Sequence, residues 1–148
     1  MRIRQIFIDI VAILMASLML YTAKHKFADY DLNREQLELM PLIHSFAGLL
    51  VWALPVAEIL IALILIIPRT RILGLYLVTG LMAVFSIYVV VLMNAPKAVC
   101  TCGGFLQSLT WLQHLFFNIG CVAAGIIAIV LAPRQTTNQK TPFNIANA

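Results

Sequence analysis

Charge is scarce in this chain: 10 Lys and Arg and 6 Asp and Glu amount to 11% of 148 residues. A soluble domain carries about a quarter charged residues, so too few polar side chains are present to cover a globule in water. That excludes an ordinary cytosolic domain and a disordered chain. Cysteine is scarce as well. Three thiols are too few to staple a disulfide-rich secreted miniprotein, and two of them share one short loop. The basic excess of +4 is scattered, with no basic cluster interleaved with aromatics, so no nucleic-acid partner is implied. No internal repeat is visible.

Apolar residues fill the chain instead: 62% of it is hydrophobic, and the mean hydropathy is +0.97. A spanning helix needs roughly 20 mostly apolar residues. Four such windows occur, at about Ile6–Ala23, Phe46–Ile67, Ile72–Met93 and Trp111–Leu131. The expected fold is all-α, an integral membrane four-helix bundle spanning residues 1–132. A flexible cytoplasmic tail, 133–148, rich in Thr, Asn, Gln and Pro, follows it. The basic start and apolar run also suit a signal peptide, but Leu20-Tyr21-Thr22-Ala23-Lys24 offers no small-x-small cleavage site, so the first span is read as retained. Six of the basic residues (Arg2, Arg4, Arg69, Arg71, Arg134, Lys140) fall on one side and four (Lys24, Lys26, Arg34, Lys97) on the other. By the positive-inside bias both termini are cytoplasmic. The expected setting is a bacterial inner membrane, with the lipid bilayer as first partner.

Two loops then face outward. In the first, Asn33 and Gln36 are spaced as a capping box. A short helix there could press Leu32, Leu37, Leu39 and Met40 onto the bundle and end at Pro41; a solvated loop fits equally. In the second, Cys100-Thr101-Cys102-Gly103-Gly104 is the sharpest motif of the chain. Two thiols one residue apart close a ring only if the backbone bends sharply, and the glycines make that bend cheap. So tight a disulfide closes almost no loop and staples little. Strained, exposed disulfides are exchangeable, and the outer side of the membrane is oxidising. The expected role of Cys100 and Cys102 is therefore redox chemistry, against two inert thiols or a passive bridge. A metal held by thiolate and imidazole is a weaker alternative. His25, His44 and His114 gather near the same face, but with no paired metal-ligand spacing, so no metal is assigned.

Within the spans, Trp111, His114, Asn118 and Cys121 recur at steps of three and four on one face of the fourth window. Asn118 would be costly in lipid, so that face points inward. A nearby imidazolium His114 would raise the thiolate fraction of a cysteine; equally, His114 and Asn118 could merely stitch helices together. Cys121, roughly 15 Å further along the helix than Trp111, reads as a small core residue. Beside that face, Gly120, Ala124 and Ala128 form a small-residue ridge suited to close helix approach. Glu58 is the one acid deep in a span, three residues after Pro55. It suits a proton relay or a contact for a quinone head group. The structural reading, slightly preferred, is a protonated side chain bonded across helices to Tyr, Asn or a freed carbonyl. His44, Gly48, Val51, Pro55 and Glu58 share a face leading to the thiol side. Asp9, near the cytoplasmic interface, is expected to stay hydrated.

Together these positions resemble the methylamine-utilisation MauE family, within the DoxX-like four-helix membrane proteins, over roughly residues 21–131. The resemblance rests on Lys24, Lys26 and Phe27 after the first span, Pro55 and Glu58, the motif from Cys100 to Phe105, then Trp111, His114 and Asn118. Two departures are Cys102-Gly103-Gly104-Phe105, where members often show Cys-Phe-Gly, and His114, where an Arg is common. The resemblance implies extracytoplasmic thiol–disulfide chemistry, with Cys100 and Cys102 as the reacting pair and His114, Asn118, Trp111, Glu58 and Lys24 in support. It also implies a periplasmic thioredoxin-like partner, or another envelope protein, and help in maturing a disulfide-rich subunit of methylamine dehydrogenase. Fold is not function, so a non-catalytic anchor or assembly subunit is the competing class.

Overall fold

The computed structural model describes residues 2–39, 43–93 and 110–132. The elements among them are helical: α1 (Arg2–Ala28), α2 (Tyr30–Glu38), a 3-10 turn at His44–Phe46, α3 (Ala47–Ile66), α4 (Arg71–Met93) and α5 (Trp111–Leu131). Four of these helices are long and apolar enough to cross a membrane. At 1.5 Å per residue the 20 residues of α3 span about 30 Å, the thickness of a bilayer's hydrocarbon core. Three spans begin and end within a residue or two of the sequence expectation. The first does not: α1 has 27 residues and runs past Ala23 to Ala28. Hydropathy sees only the apolar part of a helix, and no breaker stands before Asp29. The tail from residue 133 and the segment 94–109, with Lys97, Cys100 and Cys102, lie outside the described residues.

Helix α1 is the spine of the bundle. Its buried stripe is Ile8, Val11, Ala12, Met15, Ala16, Met19, Thr22, Ala23 and Lys26, the three-and-four spacing of one helix face. The apolar part of that stripe joins Ala62 and Leu65 of α3, Leu75 and Val78 of α4 and Ala128 of α5 in one core. α1 packs mainly on α3, and α4 on α5. The outer faces are inverted relative to a soluble protein: Leu14, Leu49, Ile87, Phe116 and Val130 are all more than half exposed. That surface is matched to hydrocarbon, which competes with nothing polar.

Close approach of α4 and α5 depends on Gly125, where an added Cβ would collide with Thr79 Oγ1, whereas Gly120 has nothing within 4 Å of that position. The expected ridge is thus corrected at its first member. Ala128 is in the core, but Gly120 faces outward and the small residue that admits a neighbour is Gly125. At the end where α1 begins, Arg4 Nη2 donates to the Leu131 carbonyl at 2.6 Å, satisfying an open C-terminal group of α5. Asp9, expected to remain hydrated, pairs with Arg71 at the start of α4 and accepts from Gln5 Nε2 at 2.9 Å.

The segment between α1 and α3 does contain a helix, though not the one its spacing suggested. α2 begins at Tyr30 with Asp29 at its N-cap, which makes no side-chain capping bond. Asn33 and Gln36 fall in its interior and are buried. Leu37 packs with Ala47 and Val51 of α3, while Leu32 and Leu39 stay exposed. Met40 and Pro41 lie outside the described residues.

Candidate functional site: a buried polar cavity between four helices

Polar side chains collect at one place in the apolar bundle, near the C-terminal end of α1. Lys26 is buried, because the α1 stripe carries it inward one turn after Thr22. Its Nζ donates to Glu58 Oε1 of α3, and the side chains are only 10% and 8% exposed. A lysine near a helix end ordinarily snorkels outward to the headgroups. Here its stem turns into the protein to reach an acid 32 positions away in sequence. Glu58 stands eleven residues into α3, roughly 16 Å from its start, so the carboxylate is at mid-span. Its partner is Lys26, rather than the Tyr, Asn or freed carbonyl expected from sequence. Ion pairing is the usual condition for a charge at that depth.

From the other side, α5 supplies His114 and Asn118, 1% and 2% exposed. Thr110 caps the helix. Its Oγ1 accepts from Gln113 N, and Gln113 Oε1 accepts from Thr110 N. This reciprocal capping box fixes where α5 starts, and the stripe four and eight residues later then points inward. The His114 ring meets Phe85 of α4 edge-on, with centroids 5.5 Å apart. Thr22 Oγ1 donates back to the Leu18 and Met19 carbonyls at 3.1 and 3.0 Å.

These groups line a cavity of about 80 Å³ to which α1, α3, α4 and α5 all contribute. By the ~10–15 Å³ that a water requires, it holds about five water molecules. Two polar atoms on its walls, Glu58 Oε2 and Asn118 Nδ2, are buried without a hydrogen-bond partner. Leaving such groups unsatisfied costs about 1–3 kcal/mol each, so the cavity is built for a polar occupant.

Of the residues singled out from sequence, Glu58, His114 and Asn118 are brought together. Lys24 is exposed and takes no part; Lys26 occupies the place facing Glu58. Trp111 is the first residue of α5. Cys121 is half-buried and sits in a separate groove. His44 and Gly48 are exposed, so the buried face of α3 runs through Ala47, Val51, Pro55 and Glu58. The His25 ring packs tilted against Tyr21, with centroids 4.5 Å apart. Among the described residues no group of three or more His, Cys, Asp or Glu could hold a metal ion. Lys26, Thr22 and Phe85 were missed as site residues from the local sequence. The signal for the first two was present: the apolar stripe of α1, continued beyond Met19 at the same spacing, lands on Thr22 and Lys26.

Four membrane-crossing helices closed around a charged, partly unsatisfied interior define a multi-pass membrane protein with an internal polar site. The family to which the chain belongs is that of the methylamine utilisation protein MauE, whose model matches residues 4–131. Neither a curated protein nor a solved structure matches the chain.

Proposed function

We propose that this MauE-family protein carries out thiol–disulfide exchange at the outer face of a bacterial inner membrane, with Cys100 and Cys102 as the redox pair. The observation that supports this reading is the location of the polar cavity. Met93 and Thr110, the described ends joined by the cysteine-bearing segment, belong to the same end of the bundle as Lys26 and His114. Two buried polar groups left without hydrogen-bond partners at that end of the bundle are more than an inert anchor requires.

The exchange is balanced within two dithiols. A thiolate of a thioredoxin-like partner attacks one sulfur of the Cys100–Cys102 disulfide, whose S–S bond breaks as a mixed disulfide forms. The partner's second thiol then displaces the bound sulfur. The partner leaves as a disulfide, and two electrons and two protons remain on Cys100 and Cys102. Both termini are cytoplasmic in this reading, following the Arg69/Arg71 turn and the basic first flank. The protein ultimately oxidised is a disulfide-rich envelope protein, in keeping with the family's association with methylamine utilisation.

The test is a redox titration in membranes, with alkylation of Cys100 and Cys102 as the readout. A two-electron transition that disappears in Cys100→Ser and in Cys102→Ser supports the exchange. Full activity of a Cys100→Ser/Cys102→Ser protein would replace it with the assembly-subunit reading.

A further inference from the structure

The polar cavity has a neighbour. Between α1 and α5 lies an open, almost wholly apolar groove of about 800 Å³, lined among others by Val11, Leu14, Met15, Gly120 and Ala124. Leu18 and Phe117 line both spaces. A polar chamber inside the bundle and an apolar channel on its lipid-facing side thus meet at two side chains. We propose that the pair forms one binding site for a lipid quinone, the ring in the cavity and the isoprenoid tail in the groove.

Four features select that chemistry. The cavity is roughly the size of one substituted six-membered ring, given its room for about five waters. Its unpaired groups are one carboxylate oxygen on α3 and one amide nitrogen on α5, Glu58 Oε2 and Asn118 Nδ2. A carbonyl accepts from the amide, and a ring hydroxyl donates to the carboxylate, so the oxidised and reduced heads are both served. Lys26 already neutralises Glu58, which makes the chamber electrically balanced and favours a neutral head over a phosphate or fatty carboxylate. Phe85, Phe117 and Met82 supply flat or polarisable walls for a ring. The tail requirement is met by the groove, which adjoins the chamber across Leu18 and Phe117 and faces the compartment where such molecules dissolve.

As a binding site this stands apart from the thiol chemistry. As the electron acceptor of that chemistry it rests on the function proposed above. In that role the Cys100/Cys102 dithiol gives up two electrons and two protons to become a disulfide, and the quinone takes up both to become the quinol.

The test is photo-crosslinking of the purified full chain in nanodiscs with a diazirine-bearing short-chain ubiquinone, mapped by peptide mass spectrometry. Gly120 offers an unusually clean variant. It lines the groove with open space at its Cβ position, so Gly120→Leu fills the channel without disturbing a helix contact. Labelling is expected on α1 and α5 peptides near Leu18 and Phe117, and to be competed by unlabelled ubiquinone. It should fall about tenfold in Gly120→Leu and in Asn118→Leu, with both variants eluting as the folded protein. Cys100→Ser/Cys102→Ser should label as fully as the unaltered chain, which separates failure of the site from failure of the exchange reaction. Labelling spread over lipid-facing residues and indifferent to Gly120→Leu would overturn the proposal. So would equal competition by oleate or phospholipid, which would make the groove an ordinary acyl-chain site.

Discussion

Removing one half of the Lys26–Glu58 pair strands the other half between apolar helices. Both side chains are about nine-tenths buried, and their contact joins the last turn of α1 to the middle of α3. At an effective dielectric near 20, opposite charges about 4 Å apart attract by about 4 kcal/mol. That attraction offsets a desolvation cost of several kcal/mol for each ion. Deleting one partner leaves the other's cost in place, so each single variant is expected to lose about 3–5 kcal/mol of stability. The two losses should be unequal. In Glu58→Gln the Lys26 ammonium can swing from its helix end toward the headgroups, which places the loss near the low end of the range. In Lys26→Met the Glu58 carboxylate sits mid-helix with no such exit, so the loss lies near the high end. Lys26→Met/Glu58→Gln removes both charges and should return to within about 2 kcal/mol of the unaltered protein, because no charge is then left buried without its partner. Reversible unfolding in mixed micelles, titrated with SDS, measures all four. Tryptophan fluorescence reads it out, since Trp52 lies 5.8 Å from Phe27 and 5.3 Å from Tyr30 at the junction of α1 and α2. A double variant whose loss equals the sum of the singles would refute the reasoning, because no coupling would then exist between the two groups.

Other outcomes are expected on similar grounds. Gly125→Ala should cost about 1–3 kcal/mol, because the new methyl meets Thr79 across the α4–α5 contact. Gly120→Ala, with open space at that position, should be neutral or gain up to about 1 kcal/mol in helix propensity. The same SDS titration compares them. In intact cells, an impermeant thiol reagent should reach Cys100 or Cys102 without permeabilisation of the inner membrane; labelling only afterwards would invert the topology. Cys121→Ser should leave redox activity nearly unchanged, whereas either Cys100→Ser or Cys102→Ser abolishes it while the protein still inserts. Reduced, purified protein should carry no more than trace Cu or Zn by elemental analysis, and a stoichiometric metal lost with the cysteines would favour a metal centre.

The four spans were legible because hydropathy is a property of single residues summed over a window, and the bilayer rewards that sum directly. The inward face of α5 was legible for a related reason: His114 and Asn118 are polar residues in an apolar helix, and lipid forbids them on the outside. Lys26 was harder. Flanking lysines are usual at membrane interfaces, so Lys24 and Lys26 look alike until the α1 stripe is extended past the apolar run. That extension depends on α1 continuing to Ala28, beyond what hydropathy reports. The pairings of Asp9 with Arg71 and Lys26 with Glu58 span 62 and 32 positions, and no local pattern encodes them. The capping signal misled at Asn33 because the spacing of a capping box also arises inside a helix, and α2 had already begun at Tyr30. In α5 the same motif at Thr110 and Gln113 marks a true start.

Those two ion pairs have a consequence for how the bundle can slide. Asp9 and Lys26 are seventeen residues apart on α1, roughly 25 Å along its axis, and each is tied to a different helix. Apolar faces in lipid are permissive about vertical register, since a shift of one turn, about 5.4 Å, exchanges one leucine contact for another. Charges are not interchangeable in that way. A one-turn slip of α1 would break its bonds to Arg71 and Glu58 together, leaving four unpaired charges near or within hydrocarbon. The pairs therefore act like the two marks of a vernier, coinciding at one setting only. A four-residue insertion between Ile10 and Ala23 would turn the apolar faces by only about 40° and still keep the two pairs from forming together.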